Sequence, residues 1–250
     1  MDKIILGPCA LEDLTSSLKI LEDILPVVKT KDFYFKASFD KANRTSINSS
    51  RGRGIRDSVY IFKQLKELYP NLKITTDVHT LDQIAYLKSE NVIDLVQVPA
   101  FLCRQTDLIT ACASSFDKVN VKKGQWLSPS KVKHISHKIK DTNPDAEVWI
   151  TERGTTFGYN KLLVDFSAVD TLKSYADQVI LDCTHSTQYT NDKDFTGGDR
   201  ELAKKYVQVA KIFGYDGMFA EVHPDPKNAI SDKESQIELS WIKENLSLYL

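Results

Sequence analysis

Gly217-Met218-Phe219-Ala220-Glu221-Val222-His223-Pro224-Asp225 is a short, nearly continuous apolar run that breaks into carboxylates, an imidazole and a proline. Such a run, too short for a helix and without strict alternation, reads as a strand buried on both faces, as parallel strands are. Seven earlier runs share its form: Ile4–Pro8, Phe33–Phe39, Ile74–Val78, Leu95–Pro99, Val119–Val121, Val148–Thr151 and Val179–Asp182. Helical periodicity fills the gaps between them. Leu14, Leu18, Leu21, Ile24 and Leu25 share one face of Leu11–Val28, and similar stripes run through Ile55–Leu68, Leu81–Leu87, Lys131–Ile139, Leu202–Phe213 and Ile237–Leu246. Eight strand–helix units in 250 residues predict an α/β chain folded as a (β/α)8 TIM barrel, with residues 1–250 forming a single catalytic domain. An open doubly wound sheet would carry a glycine-rich phosphate turn after its first strand, and Gly7-Pro8-Cys9 is not one.

Polar residues punctuate the runs at one consistent place. Lys36, Ser38 and Lys41 close the second, and Asp77 and His79 the third; Gln97 lies in the fourth, with Arg104 beyond it. Lys122-Lys123 follow the fifth, Glu152-Arg153 the sixth, Asp182 to His185 the seventh and Glu221 to Asp225 the eighth. In a barrel these are the C-terminal strand ends, where active sites assemble. Lys36, Lys41, Arg44, Arg104, Lys122 and Arg153 around one mouth would suit two phosphates, or a phosphate and a carboxylate. Taken singly, each is an ordinary solvated surface cation. A lysine that forms a Schiff base is a rival reading, because crowded cations depress an amine's pKa.

The chain is nearly charge-balanced, with 33 basic and 34 acidic side chains and net charge −1. A nucleic-acid partner would ordinarily require a basic excess. A cationic mouth in such a chain implies that the acidic residues lie on the outer helices. Mean hydropathy is −0.31, and no apolar run approaches the ~18 residues of a membrane span. Met1-Asp2-Lys3 leads into an apolar stretch too short for an export signal, so a cytoplasmic enzyme with no membrane partner is expected. The four cysteines, Cys9, Cys103, Cys112 and Cys183, form no C-x-x-C pair and read as reduced thiols. Cys9 closes the first run, His185 the seventh and Glu221 the eighth, with Asp232 in the loop beyond. Thiolate, imidazole and carboxylates meeting at one mouth would form a divalent site of the Fe, Zn, Mn or Co class rather than Mg. Spacing alone favours Cys9 as a packed small hydrophobe and His185 as a hydrogen-bonded strand-end residue.

Several long blocks resemble the 3-deoxy-D-manno-octulosonate 8-phosphate synthases. They are Phe35-Lys36-Ala37-Ser38-Phe39-Asp40-Lys41-Ala42-Asn43-Arg44-Thr45-Ser46, Thr76-Asp77-Val78-His79, Gln97 through Asp107, and Asn120-Val121-Lys122-Lys123-Gly124-Gln125. Glu152 through Asn160, Asp182-Cys183-Thr184-His185-Ser186 and Glu221-Val222-His223-Pro224-Asp225-Pro226 continue the resemblance, which spans Gly7 to Asp232. It implies a barrel enzyme, usually tetrameric, that condenses phosphoenolpyruvate with arabinose 5-phosphate on the route to lipopolysaccharide. Carried onto matching positions, Lys36, Ser38, Lys41, Gln97, Lys122 and Arg153 would hold phosphoenolpyruvate. Asn43, Arg44, Thr45 and Asp77 would receive the pentose phosphate, with Arg104 reaching in from a neighbouring subunit. Lys41, Lys122, His185 and Asp232 would stand at the reacting atoms. The family divides into metal-dependent and metal-free enzymes at the position of Cys9, where asparagine marks the metal-free form. Cys9, His185, Glu221 and Asp232 therefore resemble the metal-dependent class.

Neighbouring chemistries bound this reading. The aromatic-pathway synthase that uses erythrose 4-phosphate typically carries Lys-Pro-Arg where this chain has Lys41-Ala42-Asn43-Arg44, which favours the pentose. A Schiff-base barrel aldolase would use one of the mouth lysines covalently, and a catalytically dead barrel would only bind sugar phosphates. Three segments depart from the family pattern: Thr80 in place of a frequent glutamate, the basic loop Gly52 to Arg56, and Tyr189 to Phe195.

Overall fold

All eight apolar runs form strands, and a helix follows each of them and covers its outer face. In the computed structural model, which describes residues 1–44, 46–189 and 196–250, they are β1 (Lys3–Gly7), β2 (Asp32–Lys36), β3 (Lys73–Asp77), β4 (Leu95–Val98), β5 (Lys118–Lys122), β6 (Glu147–Glu152), β7 (Gln178–Asp182) and β8 (Gly217–His223). Each pairs in parallel with the next, and β8 pairs back to β1 from Lys3↔Gly217 to Gly7↔Glu221, which closes the barrel. The helices α1 (Leu14–Val28), α2 (Ile55–Leu68), α3 (Leu81–Glu90), α4 (Thr106–Ser115), α5 (Lys133–Thr142), α6 (Val169–Lys173), α7 (Arg200–Val209) and α8 (Leu239–Asn245) alternate with them. The chain is a TIM barrel.

Two of these helices carry no stripe that periodicity could find. The inner face of α4 is Leu108, Ile109, Cys112 and Ala113, set among Thr110, Ser114 and Ser115, so its apolar contrast is weak. Helix α6 has five residues, barely more than one turn. Strand β2 ends at Lys36 rather than continuing to Phe39; the chain leaves the sheet there, and Ser38 makes only an isolated bridge to Ala10. Thr80, the residue that departs from the family pattern, is the N-cap of α3 and accepts the Gln83 backbone N–H on its side chain. Gly7 is required at the end of β1, because a Cβ there would sit 2.0 Å from the Lys36 carbonyl oxygen.

Side-chain alternation sorts the barrel interior into three layers. The lowest is ionic: Lys3 and Lys73 donate to Asp32 at 2.8 and 2.6 Å, and Lys118 pairs with Glu147 at 3.3 Å. The middle is apolar, with Ile5, Tyr34, Leu95, Trp149, Ile180 and Phe219 forming their own buried cluster. Tyr34 meets Trp149 edge-on at 5.2 Å. The upper layer is Lys36, Asp77, Gln97, Lys122, Asp182 and Glu221, all buried. The apolar layer is thus the floor on which a polar site rests.

Removing the largest floor side chain should be costly. Trp149→Ala is expected to lower the unfolding free energy by about 3–5 kcal/mol in urea titrations. Ile212→Ala, at an exposed position, should change it by less than about 0.5 kcal/mol.

Candidate active site

The upper layer is built as a hydrogen-bonded band across five strands. Thr151 on β6 donates to Asn120 Oδ1 at 2.7 Å, and Asn120 on β5 donates to Gln97 Oε1 at 3.0 Å. Gln97 on β4 donates to Asp77 on β3, which also accepts from Ser38 at 2.6 Å and from Lys36 on β2 at 3.3 Å. Burial alone would raise the Asp77 carboxyl, but Lys36 and Lys41 outweigh it and hold the group well below the usual carboxylate range. The band fixes the Gln97 amide at both ends, so its orientation toward the mouth is set before any ligand arrives.

Asp182, at the end of β7, is a second centre of organisation. It accepts from Lys122, from His185 Nδ1 at 2.9 Å and from the His185 and Thr184 backbone N–H groups at 2.9 and 3.1 Å. Burial opposes its ionisation, yet His185 and Lys122 keep it far below its ordinary value. Burial pushes the Lys122 ammonium pKa down against the pull of Asp182. His185 lies in a single turn beyond the strand rather than in it, and Asp182 Oδ1 accepts its backbone N–H.

With Nδ1 held by Asp182, His185 presents Nε2 to Glu221 Oε1 at 3.4 Å. Cys9, two residues past β1, donates its thiol to Asp232 Oδ2 at 2.8 Å and accepts from Ser231 at 2.7 Å. One ligand atom from each of Cys9, His185, Glu221 and Asp232 lies within 4.8 Å of the others, so these four form a candidate metal-binding group. The donor set fits a cation on a specific ground. Glu221 is fully buried, and among the described residues neither of its carboxylate oxygens has a hydrogen-bond partner. Its nearest charge is Lys41 Nζ, at 3.5 Å from Oε1. Burial, Asp232 and Glu221 together push the Cys9 thiol far up. Asp232 is held at about 2, with His185 and Lys41 outweighing its burial. It also adopts a left-handed backbone, φ 51°, which turns its side chain back toward Cys9.

Above these groups opens a cavity of about 1120 Å3 whose lining includes Lys36, Lys41, Asn43, Arg44, Asp77, Gln97, Lys122, Arg153, His185, Glu221 and Asp232. Ser38 lies beneath the lining, bonded to Asp77 and Lys36. Arg153 donates Nη2 to Gln188 at 2.5 Å, and Gln188 donates to Asp232 at 3.1 Å. Arg153 Nη1 and Arg44 Nε are both buried without a partner among the described residues, which leaves two guanidinium donors to face anions. Arg104 is exposed and does not line its own cavity; its backbone carbonyl accepts from Lys138 Nζ at 2.9 Å. Thr45 and most of the Tyr189–Phe195 segment lie outside the described residues.

One expectation needs correction. The mouth carries more cations than acids, but the two are not segregated between the mouth and the outer helices. Its lysines are interleaved with carboxylates: Lys36 with Asp77, Lys41 with Glu221, and Lys122 with Asp182. The physical reason is burial, since an ammonium taken out of water needs a counter-charge beside it. Asp182, Asn120 and Gln188 are the site residues that sequence reasoning did not single out. Asp182 had a signal in its strand-end position, whereas nothing local marks Gln188.

A family model described as the DAHP synthetase I family matches residues 2–248. The 2-dehydro-3-deoxyphosphooctonate aldolase of Desulfatibacillum aliphaticivorans is 41% identical over 246 residues, covering 97% of this chain and 89% of that protein. The protein of the same description from Wolinella succinogenes is 39% identical over 253 residues, 96% of this chain and 95% of its own. That of Geotalea uraniireducens is 38% identical over 239 residues, 94% of this chain and 86% of its own.

The four-residue cluster makes a direct prediction. Titration of metal-depleted protein with Co2+ should raise a thiolate-to-cobalt charge-transfer band with one equivalent bound, and Cys9→Ala should abolish the band. A band of undiminished intensity in Cys9→Ala would place the cobalt elsewhere.

Proposed function

The chain belongs to the DAHP synthetase I family, and on that premise we propose that it condenses phosphoenolpyruvate with D-arabinose 5-phosphate and water. The products are 3-deoxy-D-manno-octulosonate 8-phosphate, a precursor of the lipopolysaccharide inner core, and inorganic phosphate. Near-full-length relatives at 38–41% identity all carry the name of an enzyme acting on this phosphorylated eight-carbon acid. The structural observation that carries the reading is the pair of buried, unpartnered guanidinium donors, Arg153 Nη1 and Arg44 Nε, in one cavity. Two anionic substrates give each of them an acceptor.

In this assignment Lys36, Ser38, Lys41, Gln97, Lys122 and Arg153 serve the phosphoenolpyruvate end. Asn43, Arg44 and Thr45 serve the pentose phosphate, and Asp77 meets its hydroxyls. The enol carbon of phosphoenolpyruvate attacks the pentose aldehyde, water adds at C2, and phosphate leaves with C–O cleavage. The aldehyde oxygen gains a proton, and the added water loses its protons as the ketone forms. Lys122 and Arg153 hold the phosphate and carboxylate in register and disperse charge as phosphate departs. Their counter-ions and hydrogen-bond partners, Asp182 and Gln188, fix them beforehand, so little reorganisation accompanies the step. Cys9, His185, Glu221 and Asp232 would hold a divalent ion of the Fe, Zn, Mn or Co class, which when bound supplies Lewis acidity toward the aldehyde or the water.

The tetramer expected from the resemblance belongs to the same proposal. Arg104 is exposed and free to enter a neighbouring copy's cavity. A cytoplasmic location also remains part of it; among the described residues no helix is long and apolar enough to cross a membrane. A Schiff base at Lys41 is disfavoured, because Cys9, Glu221 and Asp232 outweigh its burial and hold its pKa well above the ordinary amine value; Lys122, whose pKa burial lowers, is the lysine on which that rival is tested.

The deciding assay is phosphate release from phosphoenolpyruvate with arabinose 5-phosphate or erythrose 4-phosphate as acceptor. The pentose phosphate should be preferred, and borohydride should trap no adduct on Lys41 or Lys122. Preference for the four-carbon sugar, or a trapped lysine, would replace this reading with one of its two rivals.

A further inference from the structure

Lys122 and Arg153 end β5 and begin the loop after β6, and both line the cavity. Their chain neighbours Lys123 and Glu152 are excluded from that lining, as alternation requires. Solvent does not receive them either. Lys123 is 1% exposed and Glu152 2% exposed, and their charges meet at 3.3 Å. No step of the proposed reaction uses this pair. A buried ion pair is weak evidence of stability, because a hydrophobic pair of similar volume often serves as well. Its retention in this position therefore calls for another account.

The hydrogen bonds around the pair supply one. Lys123 Nζ donates to the Gly124 carbonyl at 3.3 Å and the Leu127 carbonyl at 3.2 Å, so with Glu152 all three ammonium protons have acceptors. Glu152 Oε1 accepts the Gly154 backbone N–H at 2.6 Å. The pair thus clasps two segments from different strands: the turn 124–127 and the Gly154 bend. Both are tightly made. A Cβ on Gly124 would lie 3.0 Å from the Trp126 ring and 3.1 Å from Cys103 Sγ, and Gly154 has φ +87°. The first segment carries Gln125 and Trp126 into the cavity wall; the second fixes the backbone immediately after Arg153. A separate tie runs from Thr155 Oγ1 and Thr156 N to the Gln125 carbonyl, at 2.7 and 3.1 Å.

We propose that Lys123 and Glu152 are a positioning pair: by clasping the turn 124–127 to the Gly154 bend, they set Arg153, Gln125 and Trp126 on the phosphoenolpyruvate end of the cavity. This rests on the assignment of that end to phosphoenolpyruvate. The pair touches no substrate and acts through the backbone of the two segments. It should therefore influence one substrate and not the other, since Asn43 and Arg44 lie on the loop after β2, which the clasp does not reach.

The test compares two variants of the full chain. Lys123→Met/Glu152→Gln removes both charges, keeps an acceptor for Gly154 and releases the Gly124 and Leu127 carbonyls. Lys123→Arg alone keeps the positive charge and supplies donors for Glu152 and for the two carbonyls, so it is the conservative rescue. The double variant should raise the KM for phosphoenolpyruvate at least about tenfold and that for arabinose 5-phosphate less than about twofold, whereas Lys123→Arg should stay within roughly threefold of the parent for both. Amide hydrogen exchange, which needs no substrate, should quicken in residues 124–127 and 154–156 of the double variant alone. Parental exchange in a folded double variant would overturn the proposal, as would an equal rise in both KM values or an equal defect in Lys123→Arg. Quickened exchange in an enzyme that does not turn over these substrates would instead leave the clasp standing and count against the substrate assignment.

Discussion

An ammonium group can be buried in a barrel mouth only if a carboxylate is buried beside it, and this constraint organises the whole upper half of the molecule. Lys122 and Asp182 are the central instance. They come from β5 and β7, 60 residues apart in sequence, and both are nearly inaccessible to solvent. Asp182 also holds His185 Nδ1, so one carboxylate sets a cation for the anionic substrate and the tautomer of a candidate metal ligand together. Lys36 with Asp77 repeats the arrangement on β2 and β3, and the Gln97–Asn120–Thr151 band carries it on to β6. The mouth therefore consists of charges already neutralised and aimed, rather than a loose excess of positive potential.

That design has a consequence for binding. Cations held by carboxylates have surrendered their water at folding, so an arriving phosphate need not displace it, and the donors do not reorganise during the reaction. The two guanidinium groups left with free donors, on Arg153 and Arg44, are the exceptions that give the cavity its appetite for anions. The cluster at Cys9 and Glu221 is a third such place, where a buried carboxylate without a hydrogen-bond partner among the described residues stands beside a thiol and an imidazole, a donor set suited to a cation. The apolar layer of Tyr34, Trp149 and Phe219 beneath keeps these imbalances local by shutting the mouth off from the ionic layer below.

Much of the fold was legible in the linear sequence because a barrel strand is written locally, as a short run ending in a polar residue. The strand-end rule placed Lys36, Asp77, Gln97, Lys122, Arg153 and Glu221 at the mouth, where they stand. Helix α4 was missed because small residues cover its inner face, and α6 because one turn has no period. The pairing of charges was invisible for a different reason. Lys36 and Asp77 are 41 residues apart, and no local pattern distinguishes a carboxylate that faces the mouth from one on an outer helix. Gln188 was missed likewise, since its contacts with Arg153 and Asp232 exist only once three separate strand ends converge.

The central claim is that carboxylates in the mouth serve anion binding by positioning its cations. A mouth that worked by positive potential alone would bind anions more tightly once a negative charge was removed. Calorimetric titration of phosphoenolpyruvate into Asp182→Asn separates the two. Loss of the partner that holds Lys122 should weaken binding at least about tenfold in folded protein; affinity equal to or tighter than that of the parent would contradict the account.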